Sequence, residues 1–167
     1  MSAVKPETVY LGLGSNLGKR EENLSQALNF LSERLKIAKV SSIYETEPVG
    51  NPNQPPFLNM VCQAETAISP LGLLILVKAI ENKLGRMPDE PDSPRTIDID
   101  ILFYGDRVME TPQLTVPHPR LRERAFVLVP LAELAPDLVH PVAHKTVSEL
   151  LSQVGGKEGV RLFAKRK

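Results

Sequence analysis

Residues 93–106, SPRTIDIDILFYGD, limit what this 167-residue chain can fold into more than any other stretch. Side chains alternate along a strand, so Ile97, Ile99, Ile101 and Phe103 fall on one face. Asp98 and Asp100 fall on the other, about 6–7 Å apart at Cβ. The apolar face demands a core, while the opposite face carries two like charges. A solvated face of an edge strand is the plain explanation. Against it, aspartate is disfavoured in strands, and Arg95 stands just upstream of the pair.

The rest of the chain supplies partners for that strand. Residues 8–14, TVYLGLG, read as a first strand. Residues 20–38 read as an amphipathic helix, with Leu24, Ala27, Leu28, Leu31 and Leu35 at helical spacing. Residues 39–47, 57–68 and 95–105 read as the second, third and fourth strands. Ser69 suits a helix cap, Pro70 a first helical turn and Gly85 a helix end. A short strand or hairpin near 107–116, a helical stretch near 120–134 and a helix near 145–154 follow. The tail GVRLFAKRK reads as a final strand with a basic end or as a partly disordered segment. Strand-helix-strand-strand-helix-strand is the ferredoxin-like βαββαβ order, an α+β fold with a mostly antiparallel sheet packed with helices. The length suits a single domain over 1–167.

Ten of the 15 prolines crowd into 48–56, 88–94 and 112–119. Proline stiffens a loop and cannot donate to a ladder, so three such loops around one sheet read as walls of a site. The formal net charge is zero, which argues against nucleic acid or an anionic membrane as the main partner. The single cysteine, Cys62, lies in an apolar run and reads as a buried thiol. It has no partner for an internal disulfide, which points to a reducing cytoplasm. No signal-peptide pattern opens the sequence. No apolar run reaches the roughly 18 residues that span a bilayer.

Two neighbouring carboxylates resist joint ionisation unless a cation sits between them or one stays protonated. Mg²⁺ takes oxygen ligands and is commonly held by one or two carboxylates plus substrate phosphates. Basic groups lie nearby in sequence at Arg86, Arg95, His118, Arg120, Arg122 and Arg124. Arginine's planar fork suits phosphate. If 120–134 is one helix, Arg120 and Arg124 share a face and Arg122 points elsewhere. His118 could bond a phosphate or cap its loop. The glycine-rich GLGSNLG lacks the G-x-x-x-x-G-K-S/T of a P-loop. Gly12, Gly14 and Gly18 read instead as residues permitting a tight turn and close backbone approach.

In order and spacing, GLGSNLG, SSIYETEPVG, QPPFLN, ENKLGR, PRTIDIDILFYG, LTVPHPRLRERAFVLVPL and LAPDLVHP resemble the 6-hydroxymethyl-7,8-dihydropterin pyrophosphokinases of folate biosynthesis. The resemblance runs from about residue 9 to 141. It implies a ferredoxin-like fold and transfer of pyrophosphate from ATP to the hydroxymethyl group of a reduced pterin, releasing AMP. It implies Mg²⁺, typically two ions, held by Asp98 and Asp100 in the motif R-T-I/L-D-I/L-D. Arg86, Arg95 and Arg124 match phosphate-binding positions, with Arg86 and Arg95 joining the aspartates in catalysis. Glu81, Ile101, Thr115 and His118 match ATP-site positions, Ile101 through its backbone against adenine. Phe57 and Phe126 match the faces of the pterin pocket, and Asn59 its edge partner. Thr46, Pro48 and Val49 match the strand end and loop beside it. Taken alone, Phe57 and Phe126 read as core residues. The partners implied are small molecules, without nucleic acid or membrane, for a monomer or weak homodimer.

The chain departs from the family at PDSPR (91–95), where R-W-G-P-R is common; it has no tryptophan, and Ser93 replaces a usual glycine. Pro119 stands where an aromatic is frequent, and Gln113 where some members carry arginine. Paired aspartates on such a sheet would also suit a two-metal enzyme acting on nucleic acid, but the balanced charge counts against it. An RNA-binding module would need sheet aromatics in an RNP pattern, which TVYLGLG and TIDIDILF do not supply. A catalytically dead pterin-binding relative is opposed by intact Asp98, Asp100, Arg95, His118 and Asn59.

Overall fold

The computed structural model describes residues 5–47, 53–85 and 96–166. Strand β1 (Glu7–Ser15) leads into helix α1 (Arg20–Ser32), then β2 (Lys36–Val40), β3 (Ile43–Thr46) and β4 (Phe57–Thr66). Helix α2 (Pro70–Lys83) and strand β5 (Asp98–Tyr104) complete a βαββαβ unit. A small hairpin of β6 (Met109–Glu110) and β7 (Thr115–Val116) follows. Helices α3 (Ala125–Leu134) and α4 (Val147–Gln153) and strand β8 (Val160–Ala164) close the described chain. The main sheet runs β5-β1-β4-β3-β8, with β2 beside β4 ahead of β3, and the pairings are antiparallel. This is the ferredoxin-like α+β architecture expected from the element order, extended at one edge by β8.

The capping signals act where the sequence places them. Ser69 Oγ accepts a 3.1 Å hydrogen bond from Gly72 N, and Pro70 occupies the first turn of α2. Gly85, at φ +96°, takes the left-handed turn just past that helix. Thr146 and Glu149 form a reciprocal capping box at the start of α4.

Three element boundaries differ from the expectation. The first helix stops at Ser32, and residues 36–40 form a strand. Leu35 is buried as the helical spacing expects, and pairing of 36–40 to β4 decides for the strand. The expected second strand is two strands, broken at Ser41 and Ser42. Ser41 Oγ donates to Ser42 O and accepts from Val61 N, which satisfies the backbone at the break. The expected helix 120–134 is a 3-10 turn over Leu121–Glu123 and then α3, with Arg124 extended between them.

The sheet buries both faces, unequally. One face sends Leu11, Leu13, Met60, Cys62, Ile99 and Ile101 into a core with α1 and α2. The other packs Tyr10, Val61, Leu102 and Phe103 against α3 and α4. Phe103 is therefore not on the face of Ile99 and Ile101. Leu11 pairs with Ile101 and Tyr10 with Phe103, so Leu102 is an extra residue, and the bulge reverses the alternation beyond it. Asp98 and Asp100 lie on the α3 side, beyond the cover that Leu102 and Phe103 share with α3.

Candidate active site

Strand register sets the floor of the site. Asp98 lies opposite Gly14, and Gly14 opposite Asn59. Asp100 lies opposite Gly12, and Gly12 opposite Val61. Both glycines have the same parity as the aspartates, so β1 sends no side chain into the gap between the carboxylates and β4. The need for glycine is strict at position 14. A Cβ there would stand 2.7 Å from Asn59 Oδ1 and 3.5 Å from Phe57 Cδ1. At position 12 it would meet Leu102 at an ordinary 3.5 Å. Of the tight turn and close backbone approach expected of the three glycines, the turn falls to Gly18, at φ +71°, while Gly12 and Gly14 lie within β1, where Gly14 permits the close approach of Asn59.

Over this floor opens a cavity of about 310 Å³, a size suited to a small ring compound. Asp98, Asp100 and Arg124 line one side, and Thr46, Phe57 and Asn59 the other. Phe126 and Val127, from the first turn of α3, cover it, while Glu47 and Gln54 line its loop side. Seven residues expected at the site thus converge: Thr46, Phe57, Asn59, Asp98, Asp100, Arg124 and Phe126. Gly12, Gly14, Met60, Val127, Glu47 and Gln54 were not expected there. For the two glycines a signal existed, since they alternate with Leu11 and Leu13 in a strand.

Asn59 Nδ2 donates to Thr46 Oγ1 at 2.7 Å, so both polar side chains are oriented although buried. The Asn59 amide keeps an oxygen acceptor and a second N–H, and Thr46 keeps its hydroxyl proton for a ligand. Arg124 is fixed by its extended backbone at the entry to α3. Its Nη1 lies 3.8 Å from Asp100 Oδ2, an ion pair too long for a hydrogen bond, and its guanidinium lies 5.5 Å from the Phe126 ring centroid. Burial lowers the pKa of Arg124, and the Asp100 charge opposes that shift. Arg120, expected on the same helix face, is instead exposed and pairs with Glu123 at 3.5 Å.

Four expected residues gather around the outer edge of β5 rather than in the cavity. Glu81, buried on α2, accepts from Ile99 N at 2.8 Å, between the two aspartates in sequence. Ile101 sends its side chain into the core. Thr115 pairs with Glu110 in the small hairpin. His118 N donates to Leu102 O at 2.9 Å, tying its loop to the same edge. His118 Nδ1 accepts from Arg120 N, which leaves the neutral ring's proton on Nε2 as a donor. Burial lowers the His118 pKa; Asp100 opposes the shift, while Arg124 and Arg120 add to it. Pro48, Val49, Arg86 and Arg95 lie outside the described residues.

The donor set fits Mg²⁺. Among the described residues, no three histidine, cysteine or carboxylate side chains gather as a closed metal cage. Asp98 and Asp100 instead offer hard oxygen ligands on one side of one strand, beside open space. An ion that completes its shell with water and substrate phosphate suits such a half-site.

The family model described as 7,8-dihydro-6-hydroxymethylpterin-pyrophosphokinase matches residues 10–136. The 2-amino-4-hydroxy-6-hydroxymethyldihydropteridine pyrophosphokinase of Bacillus subtilis is 44% identical over 159 residues, covering 94% of this chain and 90% of that protein. The protein of the same name from Aquifex aeolicus is 45% identical over 142 residues, covering 85% and 89%. The folic acid synthesis protein fol1 of Schizosaccharomyces pombe is 43% identical over 164 residues, but the chain spans only 22% of its length. Among solved structures, wild-type HPPK-DHPS of Plasmodium falciparum with pteroate shares the fold, with a TM-score of 0.74 at 19% identity, covering 92% of this chain and 43% of that one. By the family model and its similarity to the two bacterial enzymes, the chain belongs to the 7,8-dihydro-6-hydroxymethylpterin-pyrophosphokinase family.

Proposed function

We propose that the chain carries out its family's reaction, transferring pyrophosphate from ATP to the hydroxymethyl group of 6-hydroxymethyl-7,8-dihydropterin and releasing AMP, with Asp98 and Asp100 as the Mg²⁺ ligands. The reading is carried by one observation: two carboxylates on one strand face an aromatic-lined pocket across a floor that two glycines keep bare.

The pterin ring lies between Phe57 and Phe126. Asn59 and Thr46 hydrogen-bond its polar edge, and Pro48 and Val49, outside the described residues, are assigned to the same substrate. A flat ring with donors and acceptors along one edge calls for this pairing of aromatic faces with an oriented amide. ATP lies along the outer edge of β5, near Glu81, Ile101, Thr115 and His118. Arg124, Arg86 and Arg95 take its phosphates. The His118 Nε2–H supplies a neutral donor.

The hydroxymethyl oxygen attacks the β-phosphorus. The bond from that phosphorus to the α,β-bridging oxygen breaks, AMP leaves with the electron pair, and the hydroxyl proton passes to solvent water. Catalysis here is chiefly positioning and charge neutralisation. Mg²⁺, two ions in this reading, would be held by Asp98 and Asp100 and would supply neutralisation of the phosphates and a lowered pKa for the hydroxyl. Asp98 and Asp100 orient that charge toward both substrates, and Arg124 holds Phe126 and a phosphate oxygen in register.

The chain acts as one catalytic domain, a monomer or weak homodimer on small molecules rather than nucleic acid or a membrane. Its zero net charge supports small molecules over nucleic acid or a membrane as partners. A cytoplasmic site of action is supported by the buried unpaired thiol of Cys62. No helix among the described residues is long and apolar enough to cross a membrane.

Asp98→Asn and Asp100→Asn test the assignment. Each should lower turnover by more than about 100-fold with the melting temperature little changed, since the loss falls on metal-dependent chemistry. Full activity with Mg²⁺ in either variant would overturn it.

A further inference from the structure

Arg20 opens α1 on the side of the sheet opposite the cavity, and nothing in the proposed chemistry uses it. Its Nη1 nevertheless holds two acceptors that flank the pocket-lining segment: Glu45 Oε2 at 3.0 Å and Pro56 O at 2.9 Å. Glu45 immediately precedes Thr46, and Pro56 immediately precedes Phe57. Thr46 and Phe57 are register partners at the end of the β3–β4 ladder, and both line the cavity. One guanidinium therefore spans the two strands where their regular pairing ends.

The grip is braced from behind. Arg161 of β8 bonds Glu45 Oε1 at 3.1 Å and Glu47 Oε1 at 3.3 Å, giving an alternating chain Arg20–Glu45–Arg161–Glu47. Arg20 also lies 5.7 Å from the Phe163 ring centroid. The Arg20 and Glu45 side chains are only 25% and 23% exposed, so this pair is less screened than a surface bridge. The hydrogen bond from Arg20 lowers the Glu45 pKa, so Glu45 stays ionised.

We infer that Arg20 is a positioning residue for the pterin pocket, acting through Glu45 and Pro56 to hold Thr46 and Phe57 at the spacing the ring requires. The inference rests on the pyrophosphokinase reading. Arg20 touches neither the aspartate pair nor the outer edge of β5 in any described interaction, so its removal should weaken pterin and spare ATP.

The test measures KM for 6-hydroxymethyl-7,8-dihydropterin and for MgATP, with kcat and melting temperature, in wild type, Arg20→Met, Arg20→Lys and Glu45→Gln. Arg20→Met should raise the pterin KM about tenfold, the loss of roughly one charge-assisted hydrogen bond, with the MgATP KM and kcat within about twofold. Arg20→Lys should recover much of the loss, because an ammonium still reaches Glu45. Glu45→Gln keeps the shape and should show the pterin effect in weaker form, which preserves the test if Arg20→Met folds poorly. A lower melting temperature with both KM values unchanged would mark Arg20 as merely structural. Equal weakening of both substrates would likewise overturn the inference. Absence of AMP formation in wild type would instead strike the pyrophosphokinase reading, so the two failures are distinct.

Discussion

Gly14→Ala tests how the site is built. A methyl at this position would stand 2.7 Å from Asn59 Oδ1, closer than Cβ atoms come to other groups. Asn59 is poorly able to yield, since its Nδ2 is committed to Thr46 Oγ1 at 2.7 Å and the residue is buried. Behind it, Phe57 Cδ1 would be 3.5 Å from the same methyl. The strain is relieved either by breaking the Asn59–Thr46 bond or by moving β1 away from β4. Breaking a buried hydrogen bond costs about 1–3 kcal/mol, and the same movement misdirects the amide proposed to read the pterin edge. Urea denaturation and pterin binding should therefore both worsen, affinity by about tenfold for each 1.4 kcal/mol of lost interaction. Gly12→Ala is the control. Its methyl would meet Leu102 at 3.5 Å, an ordinary contact, and replacing glycine within a strand gains about 0.5–1 kcal/mol. Stability should hold or rise in Gly12→Ala and fall in Gly14→Ala. Equal stability losses in the two variants, or a Gly14→Ala protein with unchanged pterin affinity, would refute the reasoning.

Two further outcomes follow from groups outside the cavity. Glu133 on α3 accepts from Ser42 N, Ser42 Oγ and Tyr44 OH and pairs with Arg166 at 3.2 Å. Glu133→Ala should cost about 2–4 kcal/mol in chemical denaturation by leaving these donors without an acceptor, and a loss below about 0.5 kcal/mol would contradict that role. His140 is buried, and its Nδ1 accepts from Val142 N and Ala143 N. Burial, then Arg122 and His144, lower its pKa. The unfolded chain therefore takes up this proton more readily, so the stabilising share of His140 is present above about pH 6.5 and is lost as pH falls through the depressed folded value. His140→Ala should flatten stability against pH in that acidic window; an unchanged slope would exclude the assignment.

The alternation that sets Asp98 and Asp100 apart from Ile97 and Ile99 is a local property of a strand, and it was legible in the sequence. The same rule misplaced Phe103, because a bulge depends on how β5 meets β1, not on β5 alone. Lys36–Val40 could extend a helix or form a strand by local preference, and β4 decided between them. Arg120 and Arg124 separate because the backbone at Arg124 is extended, which no helical spacing reveals. Gly12 and Gly14 carried a readable signal, two glycines alternating with buried leucines, but their purpose appears only when Asn59 and the aspartates stand opposite. Arg20 gave no signal at all, since its partners lie 25 and 36 residues away.

The most direct test of the central claim is to incubate the protein with ATP, Mg²⁺ and 6-hydroxymethyl-7,8-dihydropterin and to resolve the nucleotide products. AMP should appear in step with the pterin pyrophosphate, and only when both Mg²⁺ and the pterin are present. ADP in place of AMP, or no pterin-dependent product from folded protein that binds ATP, would contradict it.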